Sequence, residues 1–422
     1  MNWVKDQWNK LPESLRKWLP RFAVWAIMSV AGYLVALVTG TKPEPVPFPV
    51  YVNVDTPTPV AEPLVVGCIG ELPADHVGPV YFTGWVNDPE TVAAIAAKQP
   101  FCVFADTPAG QADDPLPKFV YLWQCYEQIF ARPPPSKNQL QVGSCVSFGT
   151  VNAIERTMAF EIAVLKQNKT FKHLAEEIVY GGSRYEIGKE KYGSNLYRQG
   201  DGSMGAWAAE FVKEGSYGVI SREKQLDGKY DLSTYSESRA RDYGRNGVPA
   251  DLEPLAKERP VKDVTQVKSW SEAKKALAQG HAIAVCSNVG FTMQRDAKGV
   301  ARASGSWAHC MCLDGYHVAD DGKEYGHIEN SWGADAHKGP VGWGNPPPSG
   351  FWAESATIDR MLKQDDSWCF ASVKGFPSRK VIWPAALPDR EHFARAELEI
   401  GSCWMISKKH PLAVAREFAL AP

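Results

Sequence analysis

The apolar positions of the chain fall into three kinds of pattern. The first is an unbroken run, FAVWAIMSVAGYLVALV from Phe22 to Val38, with no charged residue and little polar beyond Ser29 and Gly32. At ~1.5 Å per residue such a run nearly crosses a bilayer, so a transmembrane or signal-anchor helix is expected over 22–38, with a buried core helix and a cleaved signal peptide as the alternatives. The second is periodic. Phe148, Val151, Ile154, Met158 and Ile162 recur every three or four positions after Gly143-Ser144-Cys145, which predicts a helix burying one face. The third is short and strand-like, as in His309 to Leu313 before the turn signal Asp314-Gly315-Tyr316, and again in Tyr325 to Glu329. SWSEAKKALAQGHAIAVCSN reads as a helix capped by Ser271 and stopped by Gly280, then a buried strand.

These patterns divide the chain. Residues 1–21 are a basic, Trp-containing segment; by the positive-inside rule it stays cytoplasmic and sends the rest of the chain to the extracytoplasmic side, or into secretion after signal cleavage. Residues 39–63 repeat proline too often for a helix or a central strand and suit an extended spacer. Residues 64–130 mix short strands with helical stretches at 88–98 and 118–129 and suit a small accessory or propeptide-like region. A helix-plus-sheet domain is expected over 131–376, and 377–422 is a tail without an assigned role.

Composition narrows the function. With 46 basic against 48 acidic residues, a formal net charge of -2 gives no overall field to attract nucleic acid, so no nucleic-acid partner is expected. Nine cysteines, none in C-x-x-C spacing, leave the redox compartment open and offer no compact zinc set, so neither a metal nor another cofactor is expected. His317, His327 and His337 crowd one stretch without a properly spaced acidic or cysteine partner.

One cysteine has a special place. Cys145 stands where the predicted helix begins, and the unpaired amides and positive dipole end there stabilise a thiolate, the reactive form of the side chain. A hairpin of the two downstream strands sets His309 beside Asn330, so that the amide oxygen accepts from one ring nitrogen and the other is left for a thiol.

The motifs NQLQVGSC, His309-x5-Gly315-Tyr316 and Asn330-Ser331-Trp332-Gly333 closely resemble those of papain-like cysteine peptidases. The resemblance spans about residues 130–375. It implies an α+β, two-lobed fold, with a helical lobe carrying Cys145 and a twisted antiparallel lobe carrying His309 and Asn330. By the same resemblance Cys145 is the nucleophile, His309 the base and later the acid, Asn330 its orienter and Trp332 a supporting lid. Gln139, six residues before Cys145, supplies the oxyanion-hole amide, and Gln141 ranks second. Residues DGSMGAWAAEF resemble the segment lining the cleft: Gly205 and Ala206 meet an extended peptide, while Trp207 with Ala208 and Trp307 with Ala308 wall the pocket for the second side chain before the scissile bond. With two tryptophans and no acidic group seen there, that pocket is expected to prefer an apolar or aromatic side chain, unless both tryptophans are simply core.

Two departures agree with each other. Val142 and Ser203 stand where the family has a disulfide pair, and Val146 replaces the tryptophan that commonly follows the nucleophile. The implied activity is cysteine-type endopeptidase action on a peptide or protein substrate, anchored to a membrane through the N-terminal helix. The alternative is an inactive papain-like scaffold or peptide-binding module in a membrane or particle assembly.

Overall fold

The computed structural model describes residues 64–67, 79–381 and 383. The chain divides into one unit of residues 1–64 and 71–80 and a second of 65–70 and 81–422, and nearly all described residues belong to the second. The basic segment, the apolar run 22–38, the proline-rich stretch 39–63 and most of the tail lie outside the described residues.

The expectation of membrane anchoring is corrected here. Among the described residues no helix is long and apolar enough to cross a membrane. The longest of them, Cys145–Ala163, carries Glu155, Arg156 and Glu161 in its interior and owes its length to a folded core. The single-pass topology and the membrane as a partner rested on 22–38 alone, and they are not carried further.

An antiparallel sheet forms one side of the core. Its strands run in the order Gly350–Glu354, Glu324–Glu329, Ala303–Val318, Ile283–Phe291, Ser367–Ala371 and Asp263–Gln266. Phe119–Tyr121 adds a short strand against Gly315–His317 of the long strand. The long strand is bulged between Leu313 and Gly315, where it pairs with Glu324–Glu329. Thus the predicted hairpin forms, with Cys312 opposite Glu329. The helix before Ile283–Phe291 begins one residue before the expected cap: Ser269, not Ser271, accepts from the Glu272 amide at 3.2 Å. Ser271 instead lies within the first turn.

Helices form the other side, and Cys145–Ala163 lies between them and the sheet. Periodicity predicted one buried face, yet Ser147, Thr150, Asn152, Glu155, Arg156, Thr157 and Glu161 are buried as well. Polar residues survive there because each charge has a partner. Glu155 meets Lys137 at 2.9 Å and accepts the Leu174 amide at 2.8 Å. Burial works against ionising Glu155, but Lys137, His173 and that amide outweigh it and hold the carboxyl down at about 2. Arg156 donates from Nε to Asp314 at 3.0 Å and from Nη2 to Glu329, while Asp314 also meets Nδ1 of His327 at 2.6 Å. This cluster bolts the helix to both strands of the hairpin. Burial, and after it the Asp314 carboxylate, push Glu329 up to about 7 against the pull of Arg156, so one guanidinium only partly offsets the cost of two buried acids.

Closer to the nucleophile the same two elements meet with only the Cys310 thiol against the helix backbone. A Cβ at Gly149 would stand 2.8 Å from Sγ of Cys310, so glycine is what lets the helix press onto the long strand beside His309.

Removing the cation should expose how much depends on the charge cluster. Arg156→Met is expected to lower unfolding free energy by about 3–5 kcal/mol, because two buried carboxylates lose their counter-charge. Urea titration of the two proteins at pH 7 measures it, and a loss below about 1 kcal/mol would contradict the reading.

Candidate active site

Cys145 is the first residue of its helix, fully buried, and no side chain caps the turn that starts at Ser144. The helix dipole therefore points its positive end at this thiol. The loop leading to it is held from the far side of the molecule. Asn138 bridges to Trp332, the Gln139 amide donates to the Ser331 carbonyl at 2.8 Å, and Gly333 donates to Lys137 at 2.9 Å. These long-range bonds tie down a loop in which Val142 is buried, while Ser203, before the helix Gly205–Val212, shares a 2.7 Å hydroxyl bond with Ser183. No disulfide joins the described cysteines.

On the long strand, Nε2 of His309 lies 2.8 Å from Oδ1 of Asn330, and the same oxygen accepts the Ser331 amide at 2.7 Å. Because that oxygen can only accept, Nε2 carries the hydrogen of the neutral ring and Nδ1 is the bare nitrogen. Nδ1 has no hydrogen-bond partner among the described residues. Burial lowers the His309 pKa to about 4, against a smaller upward pull from Asn330. The ring is therefore a neutral base at pH 7. Trp332 stacks on it with centroids 4.6 Å apart and planes at 26°, and Trp307 meets Trp332 edge-on at 4.9 Å.

His337 was not assigned a role from the sequence beyond a weak metal candidacy. It faces the other end of Asn330, with Nδ2 of the amide 3.1 Å from Nε2. Burial, with Arg295 and His309 nearby, keeps its pKa down at about 3, so its bare nitrogen accepts and fixes which way the amide points. No local motif could have signalled this. Among the described residues no cluster of histidine, cysteine or acid is arranged to hold a metal.

Gln139 is fully buried, and its side chain is engaged at both ends. Oε1 accepts from the Ser331 hydroxyl at 2.6 Å, and Nε2 donates to the Val142 carbonyl at 2.8 Å and the Phe82 carbonyl at 3.0 Å. Gln141, the second choice, lies exposed, its backbone amide donating to Glu237.

Phe82 belongs to a stretch whose location the sequence did not indicate. Residues Tyr81–Val86 thread between the glycine-rich segment and the strand of His309. Tyr81 stacks on Trp332 at 4.9 Å, and the Trp332 indole donates to the Phe82 carbonyl at 2.9 Å. Gly84 and Trp85 both donate to the Ala308 carbonyl, at 3.1 and 2.8 Å. Ser203 donates to Gly84 at 2.7 Å and accepts from Val86 at 2.9 Å, making a parallel bridge at Trp85. A Cβ at Gly84 would come within 1.9 Å of the Gly143 carbonyl oxygen, two residues before Cys145, so only glycine passes this point.

The cleft residues expected from the sequence divide accordingly. Ala308 meets the threaded segment through its carbonyl, whereas Gly205 and Ala206 turn their amides to the carboxylate of Asp366, at 2.8 and 2.7 Å. Ser203, two residues earlier, is the strand partner instead. Trp207 is buried against Gly188, and Ala208 is buried in the same helix. Trp307 is buried among Trp332, Phe291 and His337. Asp366, an acid that motif reading passed over, lies beside this cleft.

Residues 131–343, just over half of the chain, match the model of the papain family of cysteine proteases. The chain belongs to that family and is a cysteine-type peptidase. Among solved structures it is similar to xylellain, a cysteine protease from Xylella fastidiosa, at 15% identity and TM-score 0.42 over 69% of this chain and 92% of that one. It is also similar to digestive procathepsin L 3 of the Tenebrio molitor larval midgut, at 18% identity and TM-score 0.41 over 67% and 78%. Bromelain from Ananas comosus, in complex with the E64 inhibitor, aligns at 17% identity and TM-score 0.37 over 61% and 99%. No curated protein matches the chain.

A methyl group at Gly84 should push the threaded segment off Gly143. Gly84→Ala is therefore expected to raise the rate of Cys145 alkylation by iodoacetamide at least tenfold over the parent chain, as followed by peptide mass spectrometry. An unchanged rate would mean that Tyr81–Val86 does not limit access to the thiol.

Proposed function

We propose that this chain is a cysteine-type endopeptidase that cuts peptide bonds through Cys145, His309 and Asn330, and that Tyr81–Val86 keeps its cleft closed. The observation that carries the reading is the buried bond between His309 Nε2 and Asn330 Oδ1 under Trp332, which leaves Nδ1 bare. The helix start at Cys145 and the papain-family match over 131–343 support it.

In the proposed reaction Nδ1 takes the thiol proton and the sulfur bonds to the substrate carbonyl carbon. The carbonyl oxygen becomes an oxyanion, with the Cys145 amide and the Gln139 side-chain N–H as donors. That Gln139 Nε2 already donates to a peptide carbonyl, Phe82, supports its suitability. Collapse breaks the C–N bond as the imidazolium proton passes to the leaving amine, giving a thioester. Water then loses a proton to Nδ1, attacks the thioester carbon, and releases the acid and the thiol side chain.

A second reading has an observation in its favour. A segment of the same chain bonds to Ala308 and Ser203, and Cys145 and His309 are fully buried, as suits a module that binds peptide without cutting it.

The pH dependence of Cys145 alkylation in the Gly84→Ala chain separates the two. When water re-enters, the constraint holding His309 near 4 is relieved, and the ring moves back toward ~6.5, where a thiolate can pair with it. For the peptidase, alkylation stays fast well below pH 7, and the added His309→Ala change abolishes that acid limb. For the binding module, the rate rises only toward pH ~8.5, the ordinary thiol range, with or without His309.

A further inference from the structure

Asp366 is a buried carboxylate with no exposed surface, directly before the strand Ser367–Ala371. Its four hydrogen bonds all come from neutral N–H groups. Oδ1 accepts from the Ala206 amide at 2.7 Å and the Trp368 indole at 2.8 Å. Oδ2 accepts from the Gly205 amide at 2.8 Å and the Trp85 indole at 2.8 Å. Three of these donors belong to the framework of the peptidase domain. The fourth arrives on the threaded segment.

The site is shaped for that fourth donor. A Cβ at Gly205 would stand 2.8 Å from Oδ1 of Asp366 and 2.9 Å from Sγ of Cys286, so glycine there lets the helix start lie directly on the carboxylate that also takes the Trp85 indole. Trp85 is anchored beside it by its own backbone, through the bond to Ala308 and the bridge to Ser203, and only 4% of it is exposed. The pocket therefore already holds a guest, a flat side chain ending in N–H, presented from an extended backbone.

We infer that Asp366 is a specificity-determining residue of this peptidase, and that the pocket filled by Trp85 selects substrate side chains ending in a planar N–H donor, tryptophan or arginine, over phenylalanine or leucine. This rests on the reading of the cleft as a peptide-cutting site. The physical reason is asymmetric. A phenylalanine ring would strip water from Oδ2 and return no hydrogen bond, whereas an indole or guanidinium replaces what it displaces. An arginine adds a positive charge to a carboxylate that has no cation among its hydrogen-bond partners. The apolar or aromatic preference expected from Trp207 and Trp307 took no account of this acid, whose bonded partners are Trp85, Trp368, Gly205 and Ala206.

Two measurements test this, and one of them needs no catalysis. In the full chain Trp85→Phe keeps the ring and loses the donor. It is expected to raise Cys145 alkylation by iodoacetamide about tenfold, because the segment is held less well. Separately, four fluorogenic peptides differing only in the second residue before the scissile bond are offered to the Gly84→Ala, Trp85→Ala chain. Those with tryptophan or arginine should show kcat/KM at least tenfold above those with phenylalanine or leucine. A Trp85→Phe chain alkylated at the parent rate, or a phenylalanine peptide cut as fast as the tryptophan one, overturns the assignment. If no peptide is cut, the peptidase reading fails, while the Trp85→Phe rate still decides whether Asp366 recognises the donor.

Discussion

The geometry of the site depends on how closely one helix approaches one strand. Cys145–Ala163 can lie on Ala303–Val318 because position 149 is glycine, and a Cβ there would strike Sγ of Cys310 at 2.8 Å. Two turns beyond this contact, the Arg156 guanidinium reaches Asp314 on the same strand and Glu329 on the next. A small residue and a charge cluster thus register the helix on the hairpin from two points. Cys145 heads the helix, His309 neighbours Cys310, and Asn330 follows Glu329. The relative placement of all three follows from packing that lies behind them.

The loops are aligned by hydrogen bonds rather than by covalent staples. Gln139 contacts Ser331 through backbone and side chain, and Asn138 and Lys137 bond to Trp332 and Gly333. Each bond is a modest net contribution in itself, yet those between Gln139 and Ser331 are buried, where leaving a partner unmet costs more than the bond contributes. This explains how the chain dispenses with a disulfide at Val142 and Ser203. Ser203 is then available as a strand partner, its backbone serving Gly84 and Val86 on either side of Trp85.

What was legible in the sequence was whatever lies in local motifs. Gln139, Cys145, His309, Asn330 and Trp332 each stand in a short signature, and the periodicity of Phe148 to Ile162 located the long helix. Its buried polar flank was not legible, because the acceptors for Arg156 lie 158 and 173 residues away. Asp366 escaped for the same reason: its partners are 160 and 161 residues upstream, and Trp85 is 281 away. His337 looked like a member of a histidine cluster because its role is set by which nitrogen faces Asn330, a property of the fold alone. The threaded segment has no signature either, since an extended strand bound through its backbone can be spelled in many ways. The apolar run 22–38 misled in the opposite sense, by giving a strong local signal from which a topology for the whole chain was read.

Closure and chemical silence have one cause in this arrangement. On the proposed reading the segment fills the cleft and expels water, adding to the burial that lowers His309 to about 4 and keeps the ring neutral. A neutral imidazole lacks the positive charge that would pair with a thiolate, the form on which nucleophilic catalysis draws. The segment therefore does more than block a substrate sterically. Its own carbonyl at Phe82 takes up one N–H of the Gln139 side chain, the other going to the Val142 carbonyl. Being part of the same chain, it competes at an effective concentration that a free peptide reaches only with difficulty, and its grip need not be tight in any single contact. On that reading, opening would return water, the ring's affinity for a proton and one free N–H of Gln139 together, so that access and activation would arrive in one step.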